Sequence, residues 1–257
     1  VSNGNLCSKK SARVAAAALV KPAMLWRREI AVFEGSTRRA SKLPLTEKSS
    51  SGGEFSEMKT VGILGGIASG KSEVTRILSE LGAVIFDGDR AGHEVLHYPA
   101  VKERIREQFG SEVFDSQGEI DRRSLAAVVF ADTPESHAAL AELERITHPK
   151  IRERLDQQRI SYLKDGSIPL LVLDAPVMIK AGWLADCDHV LFVESSRENR
   201  LARAKCRGWS ETEFDAREAR QEKLDEKRKL ADYIVNNDQD LPHLRTQVLA
   251  VWDELLG

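Results

Sequence analysis

Gly65-Gly66-Ile67-Ala68-Ser69-Gly70-Lys71-Ser72 decides how the rest of this chain is read. The stretch fits G-x-x-x-x-G-K-[ST], a pattern that means little unless a strand runs into it and a helix leaves it. Both flanks qualify. Val61-Gly62-Ile63-Leu64 is a short apolar run suited to a buried strand, and a helical pattern follows the loop through Leu81. Glycines let such a backbone curl until successive N–H groups and the helix N-terminus face a chain of phosphates. Lys71 can then reach the β- and γ-phosphates of ATP, and the Ser72 hydroxyl can ligate Mg²⁺. A chance glycine-rich turn would explain the residues but not the strand and helix in register around them.

Outward from this loop, four more strands are predicted: Ala83-Val84-Ile85-Phe86, Leu170-Leu171-Val172-Leu173, His189-Val190-Leu191-Phe192-Val193 and Tyr233-Ile234-Val235. Short apolar runs bounded by turn residues suit strands buried on both faces. The expected fold class is therefore α/β, a P-loop NTPase-type parallel five-stranded sheet with helices on both faces. Leu244, Val248, Val251 and Leu255 share one face of a closing helix that should pack back on the sheet. About residues 90–163 form a helical insertion with no convincing strand, large enough for a substrate-binding subdomain. Val101, Ile105 and Phe109 mark one amphipathic helix there. Leu140, Leu143 and Ile146 mark another, which His148-Pro149 is expected to interrupt, since the residue before proline avoids the α region.

The chain has 257 residues, 30% charged and 42% hydrophobic, enough for one substantial domain with appendages. Residues 1–57 carry ten Lys/Arg against five Glu, hence +5; residues 58–257 carry 28 bases against 35 acids, hence −7. A polyanionic substrate of that acidic body must be held by locally placed bases, and the near-neutral total argues for neither a nucleic-acid nor a membrane partner. Cys7, Cys187 and Cys206 are too far apart for a disulfide framework or a zinc site, which suits a reducing, cytoplasmic setting. No apolar run approaches the ~20 residues that span a bilayer. Residues 1–57 are rich in Ser, Ala and Arg and faintly resemble a signal or transit peptide. The favoured expectation is a disordered extension, or sequence upstream of a start at Met58.

Carboxylates fall where a phosphotransferase needs them. Asp87-Gly88-Asp89 ends the second strand, and ligands of open α/β sheets bind beyond the carboxyl ends of strands. The pair could serve Mg²⁺ and a general base, or Asp87 or Asp89 could simply cap a helix. Asp174 ends the third strand, as a magnesium-site residue or as a turn former before Ala175-Pro176. His93 and His97 are four apart without an evident third ligand, so packing roles are favoured over metal. Arg197, Arg200, Arg203 and Arg207 recur along one side of a helix. They could clamp a transferring phosphoryl group or belong to a solvated, ion-paired surface; Arg203 and Arg207 are read as functional.

Together these segments resemble the dephospho-CoA kinase family over essentially Met58 to Leu256. The likeness lies in GGIASGKS (65–72), FDGDRAGHEVL (86–96), THPKIRERL (147–155), VLDAPVMIKAG (172–182), Arg203 to Arg207, and KLDEKRKLADYIVNND (223–238). It implies a kinase domain over residues 58–257 that moves the ATP γ-phosphate to the ribose 3′-hydroxyl of dephospho-CoA, a monomer being expected. It implies Asp89 as general base and Asp87 in support. Gly66, Ala68, Ser69, Gly70, Lys71, Ser72 and Glu73 would bind the nucleotide, and Ser72, Asp87 and Asp174 the metal. Residues 90–163 would hold the acceptor. Residues 197–229 would form a helical lid that brings Arg203 and Arg207 to the phosphates. Four positions depart from the family pattern. Ala68 replaces a loop glycine, a modest change if its φ stays negative. Gly88 replaces alanine, and Glu73 stands where threonine is usual, leaving its backbone N–H as the contact. Pro176 to Lys180 is a loosened acceptor wall. The competing expectations are another P-loop nucleoside or nucleotide kinase, which shares every phosphate-site residue, and a non-catalytic ATP-sensing module. A GTPase lacks its Asn-Lys-x-Asp here.

Overall fold

The computed structural model describes residues 58–131, 133–175 and 177–257; the expectations for residues 1–57 and for Pro176 lie outside these. In chain order the elements are β1 (Lys59–Gly65), α1 (Lys71–Glu80), β2 (Val84–Asp87), α2 (Gly88–Val95), α3 (Pro99–Phe109), α4 (Arg122–Val129) and α5 (Pro134–Asp165). They continue with β3 (Leu170–Asp174), a 3₁₀ turn (Trp183–Asp186), β4 (His189–Glu194), α6 (Arg197–Cys206), α7 (Glu211–Glu218), α8 (Leu224–Lys229), β5 (Tyr233–Asn236) and α9 (Leu241–Leu256). The strands make one parallel sheet in the order β2-β3-β1-β4-β5.

Strand periodicity explains why both faces are filled. Alternate residues point to opposite sides. Leu170 and Val172 of β3, with Leu191 and Val193 of β4, enter a core with α1 and α9. Leu171, Leu173, Val190 and Phe192 enter a second core with α2, the later turns of α5 and the 3₁₀ turn. A third core stands apart between β2 and β3: Leu96, Ile105, Phe109, Leu125, Leu140, Leu143 and Ile146 hold α3, α4 and α5 together. An isolated antiparallel bridge between Phe114 and Ile120 packs against it. Among the described residues no helix is long and apolar enough to cross a membrane.

His148-Pro149 does not interrupt the helix. α5 runs unbroken for 32 residues from a Thr133–Ser136 capping box to Gly166 in the left-handed region. Proline removes the bond that would reach the Arg145 carbonyl and biases His148 away from helix, at a cost near 3 kcal/mol. Tertiary burial outweighs that cost. Before the proline, Leu140, Leu143 and Ile146 sit in the third core; after it, Ile151 and Leu155 sit in the sheet-face core. Arg152 pairs with Asp186, and Lys180 with Glu144, on either side of the proline. Each half of the helix is thus docked separately, and local propensity loses.

Candidate active site

The phosphate loop joins β1 to α1 at the carboxyl edge of the sheet, flanked by β3 and β4. Gly70 caps α1 with φ +99, and a Cβ there would collide with the Asn237 amide. That amide donates to the Ser69 carbonyl at 2.8 Å, so the turn after β5 grips the loop from the side. Ala68 has φ +57, so the condition under which its replacement of glycine would be modest fails. Left-handed backbone costs an alanine about 1–2 kcal/mol. Its methyl group is buried with Ile67, Ala204 and Phe214, a small core that joins the loop to α6 and α7.

Lys71 donates from Nζ to the carbonyls of Gly65 (3.2 Å) and Gly66 (3.3 Å), which keeps its ammonium at the loop mouth. Ser72 is exposed on the first turn of α1. Glu73 is engaged elsewhere: its carboxylate takes Arg76 Nε at 3.0 Å, and its N–H donates to Gly70 O at 2.9 Å. That same N–H is the contact expected for a phosphate, and here it lies inside the first helical turn.

β2 and β3 pair with Asp87 opposite Asp174, so two carboxylates end adjacent strands, and β3 is hydrogen-bonded to β1. Asp87 also caps α2, accepting the Arg90 N–H at 2.9 Å. Capping and site placement coexist in one side chain. Gly88 approaches β3 so closely that a Cβ would lie 2.5 Å from Ala175 Cβ. That contact seats the first turn of α2, and half-buried Asp89 with it, against the strand ends. His93 and His97 have separate partners: Arg122 Nη2 lies 3.1 Å from His93 Nε2, and Glu119 lies 3.1 Å from His97 Nδ1. Burial, then the nearby Arg122 charge, holds His93 below its ordinary value, so that Nε2 serves as the acceptor. Among the described residues no three His, Cys, Asp or Glu side chains group to hold a metal ion. Asp87, Asp174 and the Ser72 hydroxyl are hard oxygen donors of the kind Mg²⁺ takes.

The arginines of α6 divide. Arg203 Nη1 reaches Ser195 Oγ (2.9 Å), Ser69 O (3.3 Å) and Ala68 O (3.4 Å), while Nη2 donates to Asn237 O. Burial lowers this guanidinium from its ordinary value, against the opposing influence of Asp238. Arg200 is nearly fully buried, bonded to Ser195 O at 3.1 Å and paired with Glu218. Arg207 is exposed at the C-cap of α6. Residue types alone missed Asn237, Asp238 and Ser195. Asp238 accepts from Ser195 Oγ (2.9 Å), Ser196 N (2.8 Å) and Asn199 Nδ2 (2.9 Å). Burial by itself would raise its carboxyl; these bonds outweigh it and hold the group far below the usual carboxylate range. The only sequence signal was the Asn-Asn-Asp that closes the last strand. Beyond β4 and β5 a cleft of about 320 Å³ opens between Gly66, Ser195, Arg200, Leu224, Arg228 and Asp238.

Known proteins resemble this chain over the same domain. A family model described as dephospho-CoA kinase matches residues 59–243. A dephospho-CoA kinase of Symbiobacterium thermophilum is 39% identical over 202 residues, covering 78% of this chain and 82% of the relative. A crystal structure from Thermus thermophilus superposes with TM-score 0.66 at 33% identity, over 78% of this chain and 99% of that one. A dephospho-CoA kinase structure from Campylobacter jejuni gives 0.53 at 25% identity, over 77% and 98%.

Proposed function

The chain belongs to the dephospho-CoA kinase family, and from that premise we propose that it transfers the γ-phosphoryl group of ATP to the ribose 3′-hydroxyl of dephospho-CoA, giving coenzyme A and ADP. The observation that carries the reading is the carboxyl edge of the sheet, where Asp87 and Asp174 end paired strands beside the phosphate loop. Loop N–H groups from Gly66 to Ser72 bind the donor's phosphates. Lys71 stabilises charge on the group in transfer. Asp89 accepts the proton of the 3′-hydroxyl as its oxygen bonds to the γ-phosphorus. The bond from that phosphorus to the β–γ bridging oxygen breaks, and ADP leaves. Ser72, Asp87 and Asp174 are the residues that would hold Mg²⁺, which when bound neutralises charge on the β- and γ-phosphates.

About residues 90–163 carry the acceptor, and about residues 197–229 close as a lid that excludes water, with Arg207 free to swing inward and Arg203 bracing the loop. The first role is supported by a core of its own between β2 and β3. Support for the second comes from three short helices, α6 to α8, of which α6 and α7 meet the loop through one small apolar cluster and the Arg203 bonds. A cytoplasmic monomer without membrane or nucleic-acid partner fits this activity. The test is an acceptor panel: Mg-ATP with dephospho-CoA, nucleosides and nucleotides, scored for phosphorylated product. Dephospho-CoA should be preferred, and a preference for a nucleoside or nucleotide would move the chain's activity to another kinase class.

A further inference from the structure

The body of the protein is acidic, so an anionic acceptor must meet a base placed where it binds. Arg122 has the features of such a base. It opens α4, just after the Asp121 cap, and Nη2 contacts the accepting Nε2 of His93 at 3.1 Å. Its Nε is buried with no hydrogen-bond partner, and no carboxylate pairs with it among the described residues. A neutral imidazole offers one lone pair and no charge, so the guanidinium keeps both its charge and an unused donor. Leaving a charged donor buried and unmet is costly unless a ligand meets it.

Position gives the ligand its class. His93 follows Asp89 by four residues on α2, which sets both on one face with Cβ atoms about 5–6 Å apart. Arg122 is therefore held by the turn of α2 that follows the proposed base, on the same helix face. In dephospho-CoA the 3′-hydroxyl and the arm that carries the 5′-diphosphate leave adjacent carbons of one ribose, so a group that holds the diphosphate also sets where the 3′-hydroxyl lies. We propose that Arg122, oriented by His93, binds the 5′-diphosphate of the acceptor and thereby sets the 3′-hydroxyl against Asp89. This rests on the acceptor assignment above. A planar guanidinium fork suits paired phosphate oxygens, and engagement of Nε would satisfy the orphaned donor. His93 acts through Arg122 as a positioning residue.

The experiment compares kcat/KM for dephospho-CoA and for adenosine, which lacks the diphosphate, using the full chain with Mg-ATP. Arg122→Gln should lower kcat/KM for dephospho-CoA on the order of 10- to 100-fold, the scale of a lost charge-assisted bond. Adenosine should change by less than about threefold, so the preference between the two collapses. Arg122→Lys, which keeps charge but not the fork, should recover part of the loss. His93→Phe should lower the same ratio by a smaller factor. Equal losses on both acceptors, or an unchanged preference in Arg122→Gln, would overturn the proposal. A parent protein that turns over other acceptors but not dephospho-CoA would instead overturn the functional reading beneath it. Thermal melts of each variant separate misfolding from a binding defect.

Discussion

Arg203→Ala should weaken the phosphate loop itself, not only the chemistry. The guanidinium faces four acceptors: Ser195 Oγ, the carbonyls of Ala68 and Ser69, and Asn237 O. Two of those contacts are long, at 3.3 and 3.4 Å, and Nη1 has two protons for three partners, so about two effective bonds are lost. Ser69 O keeps the Asn237 amide at 2.8 Å, which leaves Ala68 O and Asn237 O as the carbonyls most exposed to the loss. Charge-assisted bonds contribute roughly 1.5–3 kcal/mol each, and half-exposure lets water replace part of that. A net loss of about 2–3 kcal/mol follows, or roughly 5–10 °C in Tm for a domain of this size. Ala68 at φ +57 should then relax, and ATP should bind about tenfold more weakly because the loop is no longer preformed. Urea and thermal unfolding, with calorimetry of ATP binding, measure all three. If Tm and ATP affinity stay unchanged while turnover disappears, Arg203 is a phosphate ligand alone and the bracing argument is wrong.

Lys71→Ala should cut turnover about 10²- to 10³-fold with little change in Tm, since its bonds to the Gly65 and Gly66 carbonyls are long and a loop lysine adds little to a core; near-normal turnover would remove it from the chemistry. Asp89→Asn should abolish most turnover while ATP affinity changes less than about tenfold. Asp87→Asn retains a good helix cap and should stay folded; if it is the more damaging of the two, the base is Asp87. The Asp238 carboxyl is depressed in the folded state, so its stabilisation is present above the unfolded value near 3.9 and is lost as pH falls below it. Urea midpoints taken between about pH 5 and 3 should therefore fall more steeply in the parent than in Asp238→Asn. Parallel slopes would contradict this. Amides of α7 and α8 should exchange faster than those of α6, which the Arg200 and Arg203 bonds hold, and should slow with ATP analogue plus dephospho-CoA; slow exchange there unchanged by either ligand would make α6 to α8 a fixed assembly.

The sheet was legible because its strands are short, apolar and buried on both faces, a pattern that Leu170 to Leu173 and His189 to Val193 state without help from the rest of the chain. The loop was legible because its chemistry requires particular residues at a particular spacing. What the sequence concealed is set by contacts between distant segments. Pro149 reads locally as a break, yet separate cores on either side of it keep α5 whole. Ala68 gives no local sign of a left-handed backbone, because that conformation is imposed by the loop's closure against α6 and by Arg203, 135 residues later. Asn237 and Asp238 look like turn residues after a strand. Only the sheet order, which sets β5 beside β4 and β4 beside β1, brings them within reach of Ser69 and Ser195. The placement of Asp87 opposite Asp174 is likewise a matter of register between strands more than 80 positions apart.

The central claim is most directly tested by the position of the transferred phosphate. Purified protein, Mg-ATP and dephospho-CoA should yield ADP and a product whose new phosphate is resolved by phosphorus NMR as a monoester on the ribose 3′-oxygen, one per ADP formed. Lys71→Ala should reduce both signals together. Phosphate at another hydroxyl, or ADP released without any phosphorylated acceptor, would contradict the assignment.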